Sequence, residues 1–96
     1  MTFGNRVREL RKQKGLSQRE LAKEAGIDFT YLSKIENDRT EPPSEKVIRK
    51  LARHLDVDAD ELIALAGKVP ADLARILAAN PEAIQYLRSL PPRRRR

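Results

Sequence analysis

Apolar residues recur along this chain at the three- and four-residue intervals that line one face of a helix. Phe3, Val7 and Leu10 fall at i, i+4 and i+7, which predicts an amphipathic helix over 3–14 with Gly15 as its stop. The next stretch, LSQRELAKEAGIDFTYLSKIENDR from Leu16 to Arg39, reads as two short helices around a tight turn. In the first, Ser17 and Glu20 form a capping box, with Leu16 and Leu21 as the hydrophobic staple that flanks it. Leu21, Ala22 and Ala25 then share a face, and Gly26 follows where a chain leaving a helix can turn left-handed. The second helix repeats the device, with Asp28 as cap, Ile27 and Leu32 as staple, and Leu32 and Ile35 as its buried stripe. Helices this short are not stable alone, so they must pack across the turn at a steep angle.

Beyond Arg39 the segment Thr40 to Pro43 cannot be helical, because Pro42 and Pro43 remove amide donors and push their predecessors to extended backbone. Ser44 caps a fourth helix whose stripe is Val47, Ile48, Leu51, Ala52 and Leu55. After a break at Asp56-Val57, Asp58 and Glu61 suggest another capping box, stapled by Val57 and Leu62, and Leu62, Ile63 and Leu65 carry a fifth helix to Gly67. Pro70 suits the start of a sixth, with Leu73, Ile76 and Leu77 on one face until Asn80. Asn80 then reads as the cap of a seventh, Pro81 as its first residue, and Ile84, Leu87 and Leu90 as its stripe, ending before Pro91-Pro92. The chain is therefore expected to be all-α: five helices over 1–67, two short ones over 68–90, and a basic tail over 91–96, PPRRRR, expected to be disordered. The last two helices have too little core to fold by themselves, so they dock on the five-helix body, on a second copy or on another protein.

The string SQRELAKEAGIDFTYLSKIEN resembles the phage repressor and Cro type of helix-turn-helix, the XRE family. The likeness rests on Ser17-Gln18, Leu21-Ala22, Gly26-Ile27, Tyr31-Leu32-Ser33 and Ile35-Glu36-Asn37, with Leu10 and Gly15 before them and Pro43 after. It spans about Val7 to Gly67. The resemblance implies a five-helix repressor-like domain that lays its second motif helix in a DNA major groove. It further implies a dimer on double-stranded DNA and regulation of transcription, with repression at an inverted-repeat operator as the leading expectation. An antitoxin or adaptor is the alternative, with residues 68–90 gripping a protein partner and the helix-turn-helix serving autoregulation.

Charge adds to this picture through its distribution. The net charge is +6; residues 1–39 carry nine basic and six acidic groups, residues 40–67 four and six, and residues 68–96 seven and two. Positive charge thus sits with the motif and the tail, which suits a polyanion and equally a solvated surface. A chain of 96 residues is too short for a large active-site cavity, and it has no cysteine for disulfide or thiolate chemistry. Its start carries Arg6, Arg8 and Glu9 where a signal peptide needs an apolar run, and no stretch reaches membrane-span length, so a cytoplasmic protein without membrane contact is expected. His54, the single histidine, lacks metal-ligand spacing, and the acidic group Asp56, Asp58, Asp60 and Glu61 lacks that of a calcium loop. Neither catalysis nor a cofactor is expected.

By the family's register the base-reading positions are Asp28, Phe29, Thr30 and Ser33. Phe29 suits a thymine methyl, or else caps the core or a dimer contact. Asp28 fits a helix cap better than a base reader. Gln18 matches the family's phosphate-binding glutamine at a helix N-terminus. Arg19, Lys34, Asn37 and Arg39 are candidate backbone contacts, weighed against plain solvation. Asp38 departs from the usual glycine, bringing less tolerance for left-handed backbone and a negative charge near the expected phosphate path. The resemblance also implies that Arg11 pairs with Glu36, bracing the first helix against the recognition helix. Leu73, Ile76, Leu77, Ile84, Leu87 and Leu90 are the candidate dimer or partner contacts.

Overall fold

Capping chemistry sets where most of the helices begin. In this computed structural model, which describes residues 1–92, the described residues form seven helices: α1 Phe3–Gln13, α2 Gln18–Ala25, α3 Phe29–Glu36, α4 Glu45–Leu55, α5 Ala59–Leu65, α6 Ala71–Ala79 and α7 Pro81–Ser89. Arg93 to Arg96, the four arginines of the tail read over 91–96, lie outside the described residues. Ser17 Oγ accepts from the Glu20 amide at 3.0 Å while the Glu20 carboxylate accepts from the Ser17 amide at 2.8 Å, so the capping box of α2 is complete. Donation from Ser17, its backbone amide first and its side chain second, holds the Glu20 carboxyl below its ordinary pKa. Asp28 caps α3 by accepting from the Thr30 amide at 3.0 Å, and Ser44 caps α4 through the Val47 amide. Gly26 closes α2 in the left-handed region with φ 70°.

The stripes read from the spacing for α1 to α5 turn inward. Phe3, Val7 and Leu10 of α1 meet Leu21, Ala22 and Ala25 of α2, Leu32 and Ile35 of α3, Ile48, Leu51, Ala52 and Leu55 of α4, and Leu62 and Ile63 of α5 in one buried cluster. The staple residues Leu16, Ile27 and Val57 pack partly buried against it. Val47 and Leu65 lie at its margin, half-buried. α1 packs on α3 and α5, and α4 packs on α2 and α5, so α1, α4 and α5 together hold the α2–α3 pair from behind. Each fully buried leucine or isoleucine contributes roughly 1.5–3 kcal/mol against leaving it in water.

The tightest approach lies where α1 meets the end of α3. Gly4 is buried there, and a Cβ at that position would stand 2.2 Å from the Ile35 carbonyl oxygen and 3.0 Å from that of Glu36. Thr2 caps α1, its Oγ1 accepting from the Asn5 amide, and its hydroxyl donates to Asp38 Oδ2 at 2.8 Å. Asp38 has φ 56°. An aspartate is strained there relative to glycine, and the strain is offset by a carboxylate placed against the N-terminus of α1, where negative charge is favoured.

Two expected caps take other forms. Asp58 caps α5 through the Asp60 amide, but Glu61 does not close a box with it. The Glu61 carboxylate instead accepts from Arg6 Nε at 2.6 Å, tying α5 to α1 and raising the pKa of Arg6. At α7, Pro81 takes the first helical position as expected, yet Asn80 makes no side-chain cap, because its amide nitrogen donates back to the Ile76 carbonyl.

α6 and α7 pack on each other, and neither has a fully buried residue. Pro70 is buried, and the Ala71 amide at the head of α6 donates to Glu45 Oε1 of α4 at 3.1 Å. The hairpin is thus tethered at its start and leaves an apolar face open. Leu73, Ile76, Tyr86, Leu87 and Leu90 are exposed, while Leu77 and Ile84 are half-buried. Leu90 follows the end of α7 rather than extending its stripe.

Candidate nucleic-acid interface

The turn Gly26-Ile27-Asp28 joins α2 to α3 and sets the two helices against each other. Leu32 and Ile35 anchor α3 to the core, and Glu36 locks its far end. The Glu36 carboxylate is fully buried and accepts from Arg11 Nε at 2.7 Å, from a second Arg11 nitrogen at 2.9 Å and from Gln18 Nε2 at 2.9 Å. This is a two-pronged guanidinium clamp, the geometry in which such pairs are strongest. Arg11 also donates to the Leu16 carbonyl, so one arginine of α1 fixes both the entry to α2 and the exit of α3. The ion pair implied by the family resemblance is present, and it is buried.

Gln18 stands at the first turn of α2, where the resemblance implies a phosphate contact, but one amide hydrogen is spent on Glu36. Its remaining N–H and the α2 amides are what the site offers an anion. Asn37, another expected backbone contact, is engaged on both atoms of its amide. Its nitrogen donates to the Ser33 carbonyl and its oxygen accepts from Arg8 at 2.5 Å. Arg8 reaches the Glu36 carbonyl as well, which adds a second α1 arginine to the bracing. Nothing in the spacing of α1 sets Arg8 apart from its neighbours.

On the outer side, Asp28, Thr30, Lys34 and Arg39 are exposed and Ser33 is half-exposed, so the expected readers and backbone contacts share the open surface of α3 and its exit. Phe29 is placed differently. It is half-buried against the core, and the Arg19 guanidinium lies 4.3 Å from its ring centroid. Asp38 points its carboxylate at Thr2, so its charge is drawn toward α1. His54 lies beside Glu24, Nδ1 to Oε1 3.4 Å, bridging α4 and α2. Two short helices in series, the second fixed from behind with small polar side chains facing out, have the construction that enters a major groove.

A model described as a helix-turn-helix domain matches residues 4–68. The chain belongs to this helix-turn-helix family. The match runs from the first turn of α1 through α5 and stops before α6. Among relatives of this helix-turn-helix protein, the uncharacterized HTH-type transcriptional regulator RghRB of Bacillus subtilis is 41% identical over 69 residues, 72% of this chain and 50% of that protein. The HTH-type transcriptional regulator SinR of Bacillus subtilis is 40% identical over 61 residues, 64% of this chain and 55% of SinR. The chain thus spans about half the length of these two relatives. A crystal structure of SinR, the master regulator for biofilm formation, in complex with DNA covers 65% of this chain and 98% of its own, with 39% identity and a TM-score of 0.61. A SinR/SinI protein complex covers 90% of this chain and 91% of its own, with 26% identity and a TM-score of 0.61. The relatives are transcriptional regulators, a non-enzymatic class, and the likeness to the XRE type stands.

Proposed function

We propose that this chain is a sequence-specific transcriptional regulator, a repressor that binds double-stranded DNA as a homodimer at an inverted repeat. The observation that carries this reading is α3 itself: its inner face is locked by the buried Arg11–Glu36 clamp while Thr30 and Ser33 face outward. The 39% identity to a protein solved on DNA supports it. Thr30 and Ser33 meet base edges, with Asp28 and Phe29 at the entry of the helix. Gln18, Arg19, Lys34, Asn37 and Arg39 border the phosphate path. No described helix is long and apolar enough to cross a membrane; a DNA partner is what supports a cytoplasmic location.

Dimerisation falls to residues 68–90. Leu73, Ile76, Leu87 and Leu90 leave their apolar area in water in the single chain, and a second copy of the hairpin would remove it. Leu87→Asp is expected to weaken the dimer about 1000-fold, because roughly 2 kcal/mol of burial is lost on each of two chains. Sedimentation would show a monomer at micromolar concentration, still folded over 1–67, with weakened binding to an inverted repeat. An unchanged dimer would move the interface elsewhere. The alternative reading, an antitoxin or adaptor whose residues 68–90 hold a protein partner, draws on the likeness to a regulator solved with its partner protein. It predicts a wild-type monomer that tolerates Leu87→Asp in isolation.

A further inference from the structure

Most of the described arginines on the five-helix body are committed to carboxylates. Arg6 is held by Glu9 and Glu61, Arg8 and Arg11 by Glu36, and Arg49 by Glu45. Arg19 is different. Its guanidinium makes no ion pair or hydrogen bond with the described residues, and it lies over the ring of Phe29, 4.3 Å from the centroid. That distance is well inside the range of a cation–π contact. The ring is itself half-buried against the core at the first position of α3, so the core supports the platform from below. Arg19 sits in the first turn of α2 and reaches across to the entry of the recognition helix.

We propose that Arg19 is a specificity-determining residue that reads a guanine through its O6 and N7 acceptors, with Phe29 as the positioning residue that holds it. The inference rests on the DNA-reading assignment of α3 and changes two roles within it: Arg19 from backbone contact to base reader, and Phe29 from base reader to platform. Three observations favour a base over a phosphate. The platform lies at the N-terminal end of α3, the end from which recognition helices contact bases. A planar fork whose donors are all unspent matches the paired acceptors of guanine in the major groove. A phosphate contact needs no such platform, since charge on a mobile stem supplies it, as the exposed Lys34 and Arg39 can. The occupied ring face also leaves Phe29 less surface for a thymine methyl.

The test is selection of double-stranded sites from a random library by the full chain, with competition binding at matched salt. Wild type is expected to enrich a guanine at one position of each half-site. Arg19→Ala should erase that preference and weaken the best site about 10- to 100-fold, leaving the other positions as they were. Arg19→Lys should keep the salt dependence and lose the guanine. Phe29→Leu keeps an apolar side chain on the core but removes the ring, and should blur the same position; added to Arg19→Ala it should cost nothing further there. Thermal melts of each variant separate folding from reading. An intact motif in Arg19→Ala, with all sites weakened alike and the slope of log affinity on log salt reduced by about one unit per chain, would make Arg19 a phosphate contact and overturn the proposal. A Phe29→Leu shift at a different position would return the reading to the ring and also overturn it. If wild type enriches no motif, the DNA-reading assignment fails, and this one with it.

Discussion

Glu36→Ala is expected to cost about 3–5 kcal/mol of folding stability, because it leaves the Arg11 guanidinium beside the core with no carboxylate. For a domain of this size that is a fall in melting temperature of roughly 15–30 °C, readable by circular dichroism. The magnitude follows from burial. Were the pair on the surface, the cost would stay below about 1 kcal/mol. Here Glu36 is fully buried, the Arg11 side chain is 10% exposed, and the carboxylate serves Arg11 twice and Gln18 once. Arg11→Met with Glu36→Leu should recover much of the loss, since two apolar chains of similar volume leave no charge uncompensated. A single variant that melts within a few degrees of wild type would mean that the clamp does not brace α3.

Gly4→Ala is expected to lower stability by about 2–3 kcal/mol, although alanine in place of helical glycine ordinarily adds roughly 0.5–1 kcal/mol. The sign reverses because the new Cβ would lie 2.2 Å from a backbone carbonyl oxygen, which cannot rotate away as a side chain would. α1 would have to lift off the end of α3, carrying Arg8 and Arg11 with it. Chemical denaturation checks this directly, and a stabilised Gly4→Ala would show that α1 docks more loosely than the structure has it. The effect on DNA binding should exceed that on helix content, since α3 loses its bracing before α1 unwinds.

The chain spells out the parts of the fold that depend on local chemistry. The Ser17–Glu20 box, the Asp28 and Ser44 caps, Gly26 and the buried stripes of α1 to α5 all follow from residues within a turn or two of one another. What the spacing cannot carry is the meeting of distant side chains. Glu61 has the register of a capping residue, yet Arg6, far off in sequence, takes its carboxylate. Gly4 looks like a weak point in a helix until α3 is known to pass beside it. Arg11–Glu36 is legible only through family likeness, and Arg8, which braces the same end of α3, carries no such signal. Asp38 has the register of a repulsive charge near DNA, and Thr2, 36 positions away, redirects it. Phe29 has an outward register on α3, which suggests an exposed ring; the arginine covering it comes from the preceding helix. Within residues 68–90, periodicity marks the apolar faces of α6 and α7 but not what covers them.

A recognition helix braced from behind should read DNA through Thr30 and Ser33. Selection by the full chain from a random double-stranded library, repeated with Thr30→Ala/Ser33→Ala, measures it most directly. Wild type should select an inverted repeat with half-site centres about 34 Å apart, one helical turn. In the double variant, preference should relax at the positions those residues face, by roughly 1–3 kcal/mol for each reading side chain removed. Recovery of random sequence by the wild type, or an identical motif from both proteins, would contradict it.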